Sequence, residues 1–214
     1  MSCPPDPTLP KMRDAVQRCK GCGLYAFATQ AVFGEGPRDS EVMFVGEQPG
    51  DREDVAGAPF VGPAGQLFDR ALRAAGIDRS RVYVTNIVKH FKWKHGPTAS
   101  PTPGKRRLHD KPDAYEVSAC KPWLEAEIGN VKPKIVVCLG STAAQGLLGK
   151  DFRVTRQRGE FFESDLAPLV TATVHPSSIL RAADDASRQQ EMAEFIRDLE
   201  RIAVRLEELD RRPG

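Results

Sequence analysis

Four short apolar runs, each stopping at a glycine or a polar residue, set what this chain can fold into. They are Glu41–Gly46, Arg81–Asn86, Lys134–Gly140 and Leu169–Val174. Each reads as a strand buried on both faces, because apolar residues run through it without strict alternation. Helical spacing fills the gaps. Leu67, Phe68, Ala71, Leu72 and Ala75 follow a helix face from Pro63, and Gly76 suits its end. Residues 113–129 look helical around Cys120 and Trp123. Residues 142–148 form an Ala-rich helix for which Ser141 is the expected N-cap. Residues 188–208 carry Phe195, Leu199, Ile202 and Leu206 on one side. Strands alternating with helices predict an α/β fold, a three-layer α/β/α sandwich around a mainly parallel four-stranded sheet.

The chain has 214 residues, enough for one domain with a real core. We expect a disordered Pro-rich tail over 1–10, a short helix over 11–18 and a single domain over 11–210. Residues 92–104 hold Gly96, Pro97, Pro101, Pro103 and Gly104 and are expected to be a loop. Residues 152–162 carry a weaker signal for short extra strands. The net charge of +2 gives no bulk signature of nucleic-acid binding, but Lys105, Arg106, Arg107 and Lys111 cluster locally. The opening residues lack a signal-peptide pattern and no apolar run could span a bilayer. The expectation is a cytoplasmic monomer with no membrane association.

The five cysteines are Cys3, Cys19, Cys22, Cys120 and Cys138. Cys19 and Cys22 can grip one metal centre from a single turn, and in a cytoplasmic chain such a pair is metal-binding or redox-active rather than a disulfide. Cys138 lies inside an apolar strand and reads as a buried core thiol. Cys3 sits in the tail and receives no role.

In open α/β sheets, ligands bind beyond the carboxyl ends of the strands. Four groups follow the expected strands here: Gly46-Glu47-Gln48-Pro49-Gly50-Asp51, Thr85-Asn86, Gly140-Ser141 and His175-Pro176-Ser177-Ser178. With Pro59-Phe60-Val61-Gly62 and Thr85-Asn86-Ile87-Val88-Lys89, they resemble the motifs of the family 4 uracil-DNA glycosylases, in the same order from about Cys19 to Arg181. That resemblance implies a four-stranded parallel sheet between helices and a [4Fe–4S] cluster. Where the family carries its third cluster cysteine this chain has His90, and an extended loop ends in Lys105-Arg106-Arg107-Leu108-His109. Both departures resemble the UdgX branch, in which the loop histidine becomes covalently attached to deoxyribose after uracil leaves.

The resemblance implies Cys19, Cys22, Cys120 and His90 as cluster ligands. Chemistry alone leaves zinc open, since three thiolates and an imidazole are also a standard structural zinc set. The cluster's expected role is to pin the N-terminal segment and the 115–130 helix against the 90–110 loop. A glycosylase must take the base out of the stack, so the resemblance implies a pocket. Phe60 is the stacking platform and Asn86 the reader, donating to uracil O4 and accepting from N3–H. Gln48 adds contacts through its backbone or amide. His175 donates to the developing charge at uracil O2. Ser177 and Ser178 hold a phosphate, and Lys105, Arg106 and Arg107 contact flanking DNA. His109 is the expected nucleophile toward C1′, oriented by Glu47, with Asp51 a weaker acid–base candidate. Taken alone, each residue has an ordinary alternative: Phe60 packs a loop, Asn86 stabilises a turn, His175 caps the chain before Pro176, His90 is an ordinary surface or core histidine and His109 belongs to a solvated basic surface.

The expected partner is uracil-containing DNA, single-stranded DNA included. Three other readings stay open: a multiple-turnover glycosylase releasing abasic DNA, a non-enzymatic module that binds damaged DNA, and an iron–sulfur redox protein.

Overall fold

The computed structural model describes residues 8–95 and 107–211. In chain order the elements are α1 (Leu9–Val16), β1 (Val42–Gly46), α2 (Asp51–Ala56), α3 (Pro63–Ala74), β2 (Val82–Asn86), β3 (Trp93–His95), β4 (Arg107–His109), α4 (Ala114–Val131), β5 (Ile135–Leu139), α5 (Ser141–Leu148), α6 (Val154–Gln157), β6 (Phe161–Ser164), β7 (Ala167–Thr173), α7 (Pro176–Leu180) and α8 (Asp185–Asp210).

The central sheet has the order β2-β1-β5-β7-β6. Its first four strands are parallel and β6 runs antiparallel to β7. The expected count of four is therefore corrected to five. The extra strand is a half-exposed edge, so its residues need not be continuously apolar.

Alternate residues of each strand feed two cores. On one face Met43, Val45, Tyr83, Val136 and Cys138 pack with Met12 of α1, Trp123 and Leu124 of α4, and Ala143 of α5. On the other, Phe44, Val84, Ile135 and Val137 pack with Phe68 of α3, Ile179 of α7, and Phe195 and Leu199 of α8. Two covered faces explain why the strands are apolar throughout. Chain order also sets the site. The path leaves β1 for β2 on one side and returns to β5 on the other, which opens a crevice at the carboxyl ends of β1 and β5.

Several boundaries differ from expectation. Leu9 and Pro10, assigned to the tail, begin α1, where a proline fits the first turn of a helix. Gly140, not Ser141, is the N-cap of α5, and no side chain caps that helix. Part of the expected loop is ordered: Trp93–His95 pairs with Arg107–His109 as an antiparallel hairpin. Residues 96–106, with Lys105 and Arg106, lie outside the described residues, as does Cys3. Among the described residues no helix is long and apolar enough to cross a membrane.

Candidate active site

The carboxyl ends of β1, β2, β5 and β7 surround a cavity of about 670 Å³. Glu47, Gln48, Phe60, Asn86, His109, His175, Ser177 and Ser178 all line it. Eight residues chosen from five separate stretches of sequence thus meet at one rim.

The floor depends on missing atoms. A Cβ on Gly46, the last residue of β1, would collide with Asn86 Oδ1 and the tip of the Phe60 ring. Glycine there lets both side chains approach the strand end. Phe60 itself has φ 58°, a left-handed conformation that an aromatic residue adopts only under constraint. Glu53 supplies part of that constraint. Its carboxylate accepts from Gly62 N–H at 2.7 Å and from Gly50 N–H at 3.1 Å, tying together the loops on both sides of α2. Asn86 is 3% exposed, and among the described residues its side-chain amide makes no hydrogen bond to protein. A buried amide left open toward a cavity is a group waiting for a ligand.

His175 follows β7 and caps α7. Its Nδ1 accepts from Ser177 N–H at 3.2 Å and lies 2.8 Å from Ser177 Oγ. Accepting at Nδ1 puts the ring proton on Nε2. The capping role and the cavity-lining role therefore coexist, and the first fixes the tautomer for the second. Burial is the main cause of a pKa lowered to about 4, with the charges of His109 and Arg181 adding to it and Glu47 opposing. The ring is a neutral donor at physiological pH.

This depressed value has a stability consequence. As pH falls below 6.5 the unfolded chain binds a proton on this ring while the folded chain does not. Stability is expected to drop by about 2–3 kcal/mol between there and about pH 4, then to stop responding to this group. Chemical denaturation across that range should show a shallower slope in His175→Asn. Equal slopes would remove His175 as the source.

His109 ends β4, half-exposed, with Nε2 3.1 Å from Glu47 Oε1. The other Glu47 oxygen accepts from Thr142 Oγ1 of α5. Burial pushes the Glu47 carboxyl up, but hydrogen bonds from His109 and Thr142 and the charges of His109 and His175 outweigh it, so the group sits below its ordinary range. Glu47 is an anchored carboxylate beside an imidazole. Thr142 was not anticipated, although its place just after Gly140-Ser141 was a usable signal. Ser141, of the strand-end pair Gly140-Ser141, also lines the cavity, as does Arg181, which was not anticipated. Arg181 donates to Ser177 Oγ at 3.1 Å, and Ser178 Oγ donates to the His175 carbonyl at 2.8 Å.

Three of the expected side chains make contacts that the sequence did not show. Gln48 lines the cavity, but its amide is engaged by the hairpin. It donates to the carbonyls of Lys92 and Asp110 at 3.1 Å each, while its oxygen accepts from Lys92 N–H. Gln48 closes the base of the hairpin that carries His109. Asp51 does not line the cavity; it pairs with Arg107 at 2.6 Å. Arg107 in turn is engaged by carboxylates through Nε and Nη1. It bonds Asp51 and the fully buried Asp54, and lies 5.5 Å from the centre of the Phe91 ring and 5.7 Å from that of Trp93. These two charged partners hold it as the hairpin's anchor.

Behind the cavity lies a buried ion pair. Lys89 Nζ donates to Thr85 Oγ1 and to the Asn86 carbonyl at 2.7 Å each, and to Glu127, with both charged side chains fully buried. The Lys89 backbone N–H donates to Cys120 Sγ at 3.2 Å. Cys19, Cys22 and Cys120 are all buried within one packed cluster. Burial pushes the Cys120 thiol up to about 12 and raises Cys22 as well. Three buried thiols with a backbone donor on one sulfur suit thiolate ligation. Among the described residues, however, no three His, Cys, Asp or Glu side chains form a group that could hold a single metal ion. His90 is buried, makes no hydrogen bond through its ring among the described residues, and has a pKa lowered by burial with Asp54 opposing. Cys138 is fully buried in β5, as expected of a core thiol.

Comparison with known proteins gives the family of the chain. Residues 33–200 match the model of the uracil DNA glycosylase superfamily. The chain is 36% identical over 183 residues to a type-4 uracil-DNA glycosylase of Sulfurisphaera tokodaii, covering 81% of this chain and 76% of that one. It is 36% identical over 177 residues to that of Thermotoga maritima, covering 82% and 85%. For that of Pyrobaculum aerophilum the identity is 35% over 180 residues, covering 81% and 85%. The chain belongs to the uracil-DNA glycosylase superfamily.

Proposed function

We propose that this protein excises uracil from DNA and then becomes bonded through His109 to C1′ of the sugar left behind. The observation that carries the reading is the shared cavity: an unpartnered Asn86 amide, the Phe60 ring, a neutral His175 and the His109–Glu47 pair all line it. The relatives named type-4 uracil-DNA glycosylases support the base and the bond broken.

An extruded uracil stacks against Phe60. Asn86 donates to O4 and accepts from N3–H; cytosine presents the reverse pattern and leaves both amide groups unpaired. As the C1′–N1 bond breaks, its electron pair goes to uracil, and His175 Nε2–H stabilises the charge at O2. A preorganised donor of this kind typically contributes about 3 kcal/mol. The imidazole of His109 then forms the new C1′–N bond. Its proton passes to Glu47, which Thr142 and the developing sugar charge keep anionic until then. The product has no protonated imine through which the strand could be cleaved, so each protein acts once. Ser177 and Ser178 face the cavity where a neighbouring phosphate would be held. A contact from Lys105 or Arg106 to flanking DNA remains part of the proposal, on the basic character of that segment.

A [4Fe–4S] cluster is proposed to be held by Cys19, Cys22 and Cys120 with His90 as fourth ligand. Its chemistry here is to tie the N-terminal segment and α4 to the chain around β2, since substitution at C1′ moves no electron between centres. We further propose a monomer acting in the cytoplasm, on single-stranded uracil-containing DNA among its substrates.

The competing reading is multiple turnover, with His109 contacting DNA only. The kinship to type-4 enzymes favours it to that extent. Uracil release by the intact protein, counted per protein molecule, separates the two. We expect release to stop at one. Continued release would establish the competing reading, and no release would reject both.

A further inference from the structure

We propose that Phe27 and Trp93 form a second stacking site, for a base of the single strand that flanks the extruded uracil. The proposal rests on the DNA reading above and extends it to a surface outside the cavity.

Phe27 ends the single turn Gly23–Ala26 and is 68% exposed, the most exposed large apolar side chain among the described residues. Nothing in the core uses it. Its carbonyl, however, accepts the Trp93 indole N–H at 2.9 Å, which fixes the indole next to it. Trp93 is the direct cross-strand partner of His109. In an antiparallel ladder, opposite residues share a face, as do alternate residues along each strand. Phe91, Trp93 and His95 therefore lie on one side of the hairpin with Arg107 and His109.

The contacts bear this out. The Phe91 and His109 rings are 6.3 Å apart, the Arg107 guanidinium lies over both Phe91 and Trp93, and His95 meets Trp93 edge-on at 4.9 Å. The buried Phe91 and the Arg107 guanidinium thus link His109 at the cavity wall to Trp93, and the Trp93 indole is held at Phe27 by its carbonyl. Lys20 sits 5.5 Å from the Tyr25 ring in the segment that carries Phe27, while exposed Lys94 stands on the opposite face of the hairpin.

Aromatic faces in series with lysines on their flanks are the ordinary means of holding a single strand without reading its sequence. The charge is mixed: Lys94 pairs with Asp110, Lys92 with Glu116 and Asp113, and Asp51 with Arg107. Stacking rather than phosphate contact must then supply the binding. The continuity with His109 is what selects DNA over a polypeptide as occupant.

The test uses the full chain and a uracil-free single-stranded oligonucleotide, so that binding is measured apart from chemistry. Phe27→Ala should weaken binding by about five- to a hundred-fold, the range for loss of one stacked base. Phe27→Tyr should keep wild-type affinity. Phe27→Leu, which retains apolar bulk without a π face and guards against a folding defect in the alanine variant, should fall with alanine. Uracil release at saturating DNA should be unchanged in all three. Deoxyuridine monophosphate, which has no flanking base, should bind the variants and the wild type alike. Leucine and alanine variants that bind the long strand as wild type does would overturn the proposal, and would leave the surface to a protein partner. Because the readout is uracil-free DNA, that result is distinct from a failure of the glycosylase reading, which shows as absent uracil release in the wild type.

Discussion

His109→Ser is expected to lose the protein–DNA adduct completely while gaining repeated uracil release. The imidazole is half-exposed at the cavity edge, with Nε2 3.1 Å from Glu47. Serine vacates most of that volume and leaves an alkoxide-forming group of far higher pKa in a poor position. Water can then occupy the space beside Glu47, whose other oxygen stays held by Thr142. The Asn86, Phe60 and His175 side of the cavity is untouched, so the base still leaves. The sugar cation is captured by water and the enzyme is released. Multiple turnovers per protein on uracil-containing single strands, with no heat-stable band on a denaturing gel, is the predicted pattern. Adduct formation undiminished by the substitution would mean that another residue is the nucleophile.

The second large effect concerns folding. Lys89→Met should destabilise the protein by about 3–5 kcal/mol, the usual cost of stranding one partner of a buried ion pair. Both Lys89 and Glu127 are fully buried. Glu127 also accepts from Gly34 N–H and from the hydroxyls of Tyr83 and Thr85, so the carboxylate stays tied to three other groups and cannot swing to solvent. Without the ammonium it is an uncompensated charge in the core. The Asn86 carbonyl loses its donor at the same time, so uracil selectivity should suffer at temperatures where the variant is still folded. Urea denaturation measures the first effect. A variant within about 0.5 kcal/mol of wild type would mean that the pair carries no net stabilisation.

The sheet was legible because its strands are covered on both sides: Val42, Phe44, Ile135 and Val137 face one core while Met43, Val45 and Val136 face the other, which leaves continuous apolar runs in the sequence. The edge strand Phe161–Ser164 is half-exposed, and four mixed residues carry no such signal. The hairpin was harder still. Three-residue strands show no period, and the glycines and prolines between them argued for a loop throughout. That omission hid the partners of three side chains. Gln48, Asp51 and Arg107 have the right chemistry for a ligand, but they are committed to holding the hairpin, and sequence gives a residue's chemistry without its partner. The residues at the strand ends were legible for a different reason. Glu47, Asn86 and His175 sit at strand ends, where topology alone brings distant segments together.

One mass spectrum tests the covalent claim most directly. Intact protein is mixed with a single-stranded oligonucleotide carrying one uracil, denatured and weighed. The account predicts a species whose mass is that of protein plus oligonucleotide less one uracil, with the link mapping to His109 after digestion. Free uracil and abasic oligonucleotide accumulating beside unmodified protein would contradict it.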